Sequence, residues 1–295
     1  MDQLQPTESP RPEDDASFGP LHLVEPRTEH THTAIMLHGL GSSGEEFAEE
    51  LFGSNLSNGK SLRDEFPGWR WVFPSSKERW STTFQESMPA WFEAHSLTDT
   101  TARQDLQIPG IRESVAYLRE VVDEEIRLLG ERSEKGIILG GISQGGAMAM
   151  WTLLCYPRPV ELAQQLCAFT GVSTWLPFAA DLETMLSKHP RNASPLRTTG
   201  DNFYGFVEEM AAPLRDGLQG TDWAHPLLRT PVFMGHGLDD AYVDVELGRE
   251  AARVLSSIGF EVEWRDYSGA EQEGHWLKVP EEVDDIREFL ARVVV

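Results

Sequence analysis

The sequence predicts an α/β fold, with a mostly parallel central sheet and helices on both of its faces. Short apolar runs recur along the chain, and between them lie segments in which apolar residues repeat at helical spacing. The runs are largely apolar throughout rather than alternately apolar and polar. Strands of this kind are buried on both faces, which happens when helices connect parallel neighbours. The 295 residues suffice for one such domain.

Six runs are predicted as strands because each is short, apolar or aromatic, and bounded by turn-forming or polar residues. The first run, HTAIML, ends at the glycine-rich segment 38–41, and the second, WRWVF, is stopped by Pro74. The predicted strands are 32–37, 69–73, 136–139, 166–170, 231–234 and 261–267.

The helical pattern is clearest in residues 111–129, where Ile111, Val115, Leu118 and Val122 recur every three or four positions. Other helices are recognised by the same spacing, and one of them is ended by Pro157. The predicted helices are 45–52, 111–129, 147–154, 203–218, 245–258 and 280–294.

Two segments lie outside this alternation. Residues 1–17 are rich in Pro, Asp, Glu and Ser, which predicts a disordered acidic tail ahead of a single domain spanning 18–295. Residues 179–229 separate the fourth strand from the fifth. A connection of this length in a compact domain is usually functional, so we predict a lid-like insertion there.

The formal charge of −23 excludes several kinds of partner. So acidic a chain has no electrostatic footprint for nucleic acid or for anionic lipid headgroups. Residues 136–157 carry no charge but contain five glycines, so they predict a buried strand, a turn and a helix rather than a transmembrane segment. With two cysteines in apolar surroundings and no signal-peptide pattern, we expect a cytoplasmic protein. The oligomeric state is not predicted.

The motif that carries chemistry is Gly141-Ile142-Ser143-Gln144-Gly145, a G-x-S-x-G pattern between a predicted strand and a predicted helix. This is the context of a nucleophile elbow, in which a serine is exposed at a sharp strand-to-helix turn. The helix N-terminus at Ser143 favours developing negative charge. The alternative is a glycine-rich turn whose serine only caps the helix.

A serine nucleophile needs a base, and the base needs an orienting carboxylate. Two aspartates, Asp239 and Asp240, follow the fifth strand, and His275 follows the sixth. The carboxyl ends of parallel strands meet at one sheet edge, and the order Ser, Asp, His is that of α/β-hydrolases. An oxyanion hole would take one N–H from Gln144 and another from the loop 39–41. His30 and His32 lack the carboxylate or cysteine neighbours of a metal site, so no metal and no cofactor are expected.

The sequence resembles the acyl-protein thioesterase family of α/β-hydrolases, also described as a phospholipase/carboxylesterase family. The matching segments include HGLGSSGEEF, MPAWFE, IILGGISQGGAMAM, TWLP, PVFMGHGLDDAYV and YSGAEQEGHW. The resemblance implies Ser143 as nucleophile, His275 as general base, Asp240 rather than Asp239 as the third member, and backbone donors at Leu40 and Gln144.

Departures from the family pattern flank the expected acyl pocket. Glu93 stands where the family usually has Asp, and 75–87 carries Trp80 and Phe84 in place of a small turn. The insertion 179–229 is far longer than the family's loop. Aromatic residues are therefore candidates for the acyl pocket: Trp80, Phe84, Trp91 and Trp175.

Three functions follow from the sequence. The first is a serine hydrolase that cleaves acyl thioesters or carboxylic esters through an acyl-enzyme, on a small-molecule ester or an S-acylated protein. The second is an esterase or acyl-transfer enzyme acting on a pathway metabolite. The third is a non-catalytic binding module on the same fold, which the complete Ser–Asp–His set disfavours.

Overall fold

The computed structural model describes residues 17–96, 98–130, 136–156, 166–188, 203–210 and 230–294. Its centre is a seven-stranded sheet, and a separate two-stranded hairpin lies beside it. The strands are β1 (His22–Val24), β2 (His32–Leu37), β3 (Trp69–Phe73), β4 (Lys77–Ser81), β5 (Glu86–Ala90), β6 (Gly136–Ile142), β7 (Leu166–Val172), β8 (Val232–Gly237) and β9 (Val262–Tyr267).

Eight α-helices connect or follow these strands in the part of the chain that the structure describes, with a single 3₁₀ turn at Gln104–Leu106. They are α1 (Gly44–Gly53), α2 (Leu62–Glu65), α3 (Gln107–Leu129), α4 (Ser143–Cys155), α5 (Ala179–Lys188), α6 (Phe203–Met210), α7 (Val245–Ile258) and α8 (Glu281–Val293).

The strand order is β1-β3-β2-β6-β7-β8-β9, and every pair except β1–β3 is parallel. The predicted α/β fold with a mostly parallel sheet is therefore confirmed, and its six parallel strands are the six that the sequence predicts. Because they are parallel, their carboxyl ends share one edge of the sheet. The loops that carry the candidate site residues all leave from that edge.

The sheet is buried by one apolar layer on each face. On one face α3, α4 and α7 cover side chains such as Leu37, Leu139 and Met234. On the other face α1 and α8 cover Trp71, Ile138 and other residues. Burial on both faces explains why the strands read as continuous apolar runs.

Several elements were not predicted, among them helix α5 within the expected insertion. The edge strand β1 is only three residues long and pairs antiparallel with β3. The hairpin β4–β5 carries charged and polar residues in no clear alternation. The short helix α2 is identified by its cap rather than by periodicity, since Ser61 and Asp64 form a capping box.

Helix α3 begins four residues before its predicted start, and the bounds also differ at the glycine-rich segment. The sequence predicts a strand ending at Leu139 and a helix starting at Ala147, whereas β6 continues to Ile142 and α4 starts at Ser143. Gly140 and Gly141 continue the ladder with β2 and β7, whereas Gly145 and Gly146 lie in the first turn of α4.

The described parts of the insertion pack on the helical layer. Leu182 of α5 is fully buried, Val207 and Met210 of α6 are buried, and Cys155 Sγ at the end of α4 lies 3.8 Å from the Val207 carbonyl oxygen. The predicted helix over 203–218 is seen as α6, and its part beyond Met210 lies outside the described residues. Most of the predicted tail and much of 179–229 also lie outside them, so the disordered tail, the single domain and the lid stay predictions.

None of the helices described is long and apolar enough to cross a bilayer.

Candidate active site

Ser143 stands at the junction of β6 and α4 with a left-handed backbone conformation, φ +53°. Such a φ is unfavourable for a residue with a side chain, and it marks a sharp strand-to-helix turn of the kind that a nucleophile elbow requires. Its carbonyl oxygen accepts a hydrogen bond of 2.7 Å from Thr174 Oγ1 at the end of β7. Ser143 is largely buried, with 8% of its surface exposed.

The elbow depends on glycine where two backbones meet. A Cβ atom on Gly145 would lie 2.2 Å from the carbonyl oxygen of Leu37, which no rearrangement of a side chain could relieve. On the facing loop, a Cβ atom on Gly39 would lie 3.4 Å from Ser143 Cβ. The loop after β2 therefore lies directly against the serine.

The acid and the histidine meet after β8 and β9. His275 Nδ1 lies 2.8 Å from Asp240 Oδ2, while Asp239 accepts the N–H of Gly269 instead. The loop holding His275 is folded back over β8, because the N–H of Ala241 donates to the carbonyl oxygen of Glu273. Of the two adjacent aspartates, the structure brings Asp240 to the histidine.

Asp240 is held by four donors. Its Oδ1 accepts the N–H groups of Tyr242 and Val243 at 2.9 Å each, and its Oδ2 faces His275 and also His236 Nε2 at 3.3 Å. Burial by itself raises the pKa of Asp240, but the hydrogen bonds from His236, His275 and the Val243 backbone outweigh burial and hold the pKa well below its ordinary value. Asp240 is therefore ionised at neutral pH.

The loop after β2 is oriented by the imidazole of His38. Its Nε2 accepts the N–H of Ser76, so Nδ1 carries the proton and donates to the carbonyl oxygen of Gly39 at 2.7 Å. Burial lowers the pKa of His38 to about 4, which keeps the ring neutral. Because C=O and N–H point in opposite directions across a trans peptide, the N–H of Leu40 points away from this ring.

The two candidate oxyanion donors are the backbone N–H groups of Leu40 and Gln144, and neither is used in a hydrogen bond between the strands described. Within the described ranges the N–H of Leu40 has no hydrogen-bond partner, and that of Gln144 lies in the first turn of α4, where no carbonyl precedes it in the helix. The Gln144 side chain has a different task. It accepts the N–H of Trp91 at 2.8 Å and donates to the Phe92 carbonyl oxygen at 2.8 Å.

A shallow, solvent-open groove with a cavity volume of only about 10 Å³ lies beside this loop, between Leu40 and the β4–β5 hairpin. Two of the four aromatic candidates for the acyl pocket, Trp80 and Phe84, line it. The other two lie in the buried core: Trp91 donates from Nε1 to the carbonyl oxygen of His38, and Trp175 packs edge-on against Phe92. Trp91 and Trp175 therefore pack in the core and do not line the groove, contrary to the expectation.

A protein-family model described as Phospholipase/Carboxylesterase matches residues 20–202. The chain belongs to this family. The resemblance noted in the sequence is thereby confirmed, and with it the class of carboxylic ester and thioester hydrolases.

Curated relatives resemble almost the whole chain. An acyl-protein thioesterase 1 from Gibberella zeae is 29% identical over 272 residues, which cover 90% of this chain and 92% of that protein. A probable carboxylesterase, SOBER1-like, from Arabidopsis thaliana is 25% identical over 80% of this chain and 70% of its own length. Among solved structures, acyl-protein thioesterase 2 from Zea mays has a TM-score of 0.66 at 22% identity, covering 94% of this chain and 100% of the other. This structural likeness shows that the chain shares the fold of the maize protein over almost its whole length.

The departure from the phospholipase/carboxylesterase pattern at Glu93 has a structural counterpart. Its carboxylate accepts the backbone N–H of Thr82 at 3.0 Å, which ties the turn of the β4–β5 hairpin to the segment after β5. In the middle of β4, Arg79 donates to Glu113 of α3 at 2.7 Å. The hairpin is thus fixed beside the groove rather than attached at its ends alone.

Sequence reasoning missed two histidines of the site. The sequence analysis assigns no role to His38 or His236, yet in the structure His38 orients the loop of Leu40 and His236 faces Asp240. The signal that could have found them is their position, since each is a polar residue at the carboxyl end of an otherwise apolar parallel strand. His30 Nε2 lies 3.0 Å from Thr33 Oγ1, and no metal-binding group is found among the described residues.

Proposed function

We propose that this protein is a serine hydrolase that cleaves acyl thioesters or carboxylic esters through an acyl-enzyme. The observation that carries the proposal is the 2.8 Å contact of His275 Nδ1 with Asp240 Oδ2, at the sheet edge that also holds the strained Ser143. A nucleophile, a histidine and an ionised carboxylate in this arrangement suit acyl transfer. Membership of the phospholipase/carboxylesterase family supports it.

The proposed reaction begins when Ser143 Oγ attacks the acyl carbonyl carbon and His275 accepts its proton. Asp240 keeps the proton of the resting imidazole on Nδ1, so that Nε2 is free to act as the base, and then stabilises the cation. The N–H groups of Leu40 and Gln144 stabilise the oxyanion. His275 next protonates the leaving thiol or alcohol, and water hydrolyses the acyl-enzyme by the same steps in reverse.

The groove beside Leu40 is proposed to hold the acyl chain. It adjoins a residue that would supply an oxyanion donor, and Trp80, Phe84 and Met88 give it apolar walls. The names of the relatives, acyl-protein thioesterase and carboxylesterase, favour S-acylated proteins or small esters as substrates. Two free cysteines, one of which is fully buried with the pKa of its thiol raised by burial, suit a reducing, cytoplasmic setting.

The test is Ser143→Ala with p-nitrophenyl esters and S-acyl peptides. We expect kcat to fall by about 10⁴- to 10⁶-fold with the fold intact, because the nucleophile is lost while the packing of the elbow remains. Ser57→Ala, an exposed serine, is the control and should retain full activity. Unchanged turnover by Ser143→Ala would refute the assignment.

A fluorophosphonate probe separates this proposal from the other two functions. Labelling at Ser143 indicates an activated nucleophile, whereas a binding module on this fold would not react. A metabolite esterase or acyl-transfer enzyme would be labelled too, but would prefer a short soluble ester over S-acyl peptides. Neither alternative is favoured by the names of the relatives.

A further inference from the structure

His236 occupies a position in the site that the reaction described above does not use. It lies next to the end of β8, and its side chain is 1% exposed. Its Nε2 lies 2.9 Å from the carbonyl oxygen of Val243 and 3.3 Å from Asp240 Oδ2. One ring nitrogen therefore faces two oxygen atoms that can only accept.

These neighbours determine where the proton of His236 resides. Because a carbonyl and an ionised carboxylate cannot donate, Nε2 must carry the proton. Nδ1 is buried and has no hydrogen-bond partner in the part of the chain that the structure describes. A second proton there would be a buried donor without an acceptor, which is costly. His236 thus presents its Nε2–H toward Asp240.

The ring is also confined on the side away from Asp240. A Cβ atom on Gly248 of α7 would lie 2.4 Å from His236 Nδ1, so α7 approaches the ring as closely as a glycine permits. The indole of Trp264, on β9, lies against the ring at a centroid distance of 6.1 Å, with the two planes inclined by 29°. These contacts leave the imidazole little freedom to turn its Nε2 away from the carboxylate.

We propose that His236 is a positioning residue, which fixes the Asp240 carboxylate so that Oδ2 faces the Nδ1–H of His275. The inference rests on the proposed function, since it assigns His236 a part in the same reaction. With donors from Tyr242 and Val243 on Oδ1, two histidines on Oδ2 complete the set, and rotation about the carboxylate bond would break several of these contacts at once. His236 acts through Asp240 and does not itself contact the reacting atoms.

The experiment compares His236→Leu with His236→Gln. Leucine fills part of the space but offers no donor, while glutamine places an amide N–H near the position of imidazole Nε2. We expect His236→Leu to lower kcat about 10- to 100-fold, the worth of a hydrogen bond to a charged group, with KM changed less than about threefold. His236→Gln should recover most of kcat.

A matched control separates positioning from a general loss of stability. Val232→Ala removes buried methyl groups from the same strand, far from the site edge, and should lower the unfolding temperature while leaving kcat unchanged. Gly248→Ala leaves every triad residue in place but displaces the His236 ring, so its kcat should fall in the direction of His236→Leu.

The positioning role of His236 and the proposed hydrolase function can each be refuted without the other. If His236→Leu matches the unaltered protein in kcat, or if glutamine fails to restore activity better than leucine, the positioning role is refuted while ester hydrolysis stands. If the unaltered protein is not labelled by the fluorophosphonate probe and hydrolyses no ester, the proposed function itself fails. A lower kcat of His236→Leu at a nearly unchanged KM, together with recovery of kcat in His236→Gln, supports the positioning role.

Discussion

At the scale of single residues, the site consists of side chains whose protonation is set by their neighbours. Asp240 is ionised because four donors surround it, although its burial acts in the opposite direction. His38 is neutral because burial disfavours its cation and Ser76 N–H requires a lone pair on Nε2. Each of these states is the one that the proposed acyl transfer requires.

Asp240→Asn tests the role of the carboxylate. Asparagine preserves the shape, but its amide cannot accept from donors on both sides, so the favoured imidazole tautomer of His275 is lost. By analogy with triad aspartates, kcat should fall about 10⁴-fold. Asp239→Asn is the matched control and should keep its activity, because among the described residues the Asp239 carboxylate accepts a hydrogen bond only from the Gly269 N–H. Equal effects of the two substitutions would contradict the assignment.

The stability of the protein should depend on a second buried carboxyl group. Burial raises the pKa of Glu282 to about 8, so the folded protein retains a proton that the unfolded chain releases near its ordinary value of 4.5. The free energy of unfolding should therefore decline as pH rises from about 4.5 to 8, by up to several kcal/mol at about 1.4 kcal/mol per pKa unit. Glu282→Gln should flatten this decline in thermal unfolding, whereas Glu281→Gln, at an exposed neighbour, should not.

At the scale of secondary-structure elements, the parallel sheet places the candidate site residues, and the β4–β5 hairpin forms one wall of the groove beside them. The loops after β2, β6, β8 and β9 all contribute candidate site residues. The hairpin adds the groove beside Leu40, and ion pairs of Lys77 and Arg79 with Glu113 fasten it to α3. Substrate preference is therefore expected to depend on the hairpin more than on the sheet.

Phe84→Ala tests this division. Phe84 is 57% exposed at the hairpin turn and lines the groove, so removing its ring should weaken contacts with long acyl chains only. We expect kcat/KM for a twelve-carbon ester to fall about 3- to 10-fold relative to a two-carbon ester, since each buried methylene contributes about 0.8 kcal/mol. Leu128→Ala, an exposed apolar residue on α3, is the control. A uniform change across chain lengths would argue against an acyl groove.

At the scale of the whole molecule, the net negative charge around the site should determine which leaving groups the protein accepts. Residues 239–295, which carry Asp240 and His275, contain six Lys or Arg against fifteen Asp or Glu, a net charge of −9. The field around the site should repel anionic substrates and attract basic acyl peptides. At low salt, we expect kcat/KM for an acyl-CoA to be several-fold below that for a neutral thioester of equal chain length. The gap should narrow as salt screens the field, and faster turnover of acyl-CoA at low salt would refute the expectation.

The parts of the fold that depend on burial could be predicted from the sequence, and those that depend on close approach could not. The parallel strands are apolar along their length, so periodicity identifies them. The bounds of β6 and α4 were misjudged because Gly140 and Gly141 signal a turn in isolation, whereas neighbouring strands keep them in the ladder. The hairpin and its ion pairs depend on α3, far along the chain.

For the candidate site, too, some features could be predicted from the sequence and others could not. The order of Ser143, the aspartates and His275 is readable from strand ends and motifs. The participation of His38 and His236 is not, because it depends on which nitrogen faces which oxygen in the folded chain. Trp91 and Trp175 show the converse, since aromatic content alone does not distinguish a groove wall from a core residue.

The close approach of Gly145 to the Leu37 carbonyl oxygen has a consequence for laboratory evolution of this protein. A Cβ atom on Gly141 or Gly145 would clash with backbone atoms, so libraries that randomise these two positions should return the parental glycines. Variation that survives selection for new esters should instead accumulate in the hairpin and in exposed residues such as Leu238 and Tyr242. The catalytic geometry and the substrate range of this chain are thus open to change at different rates.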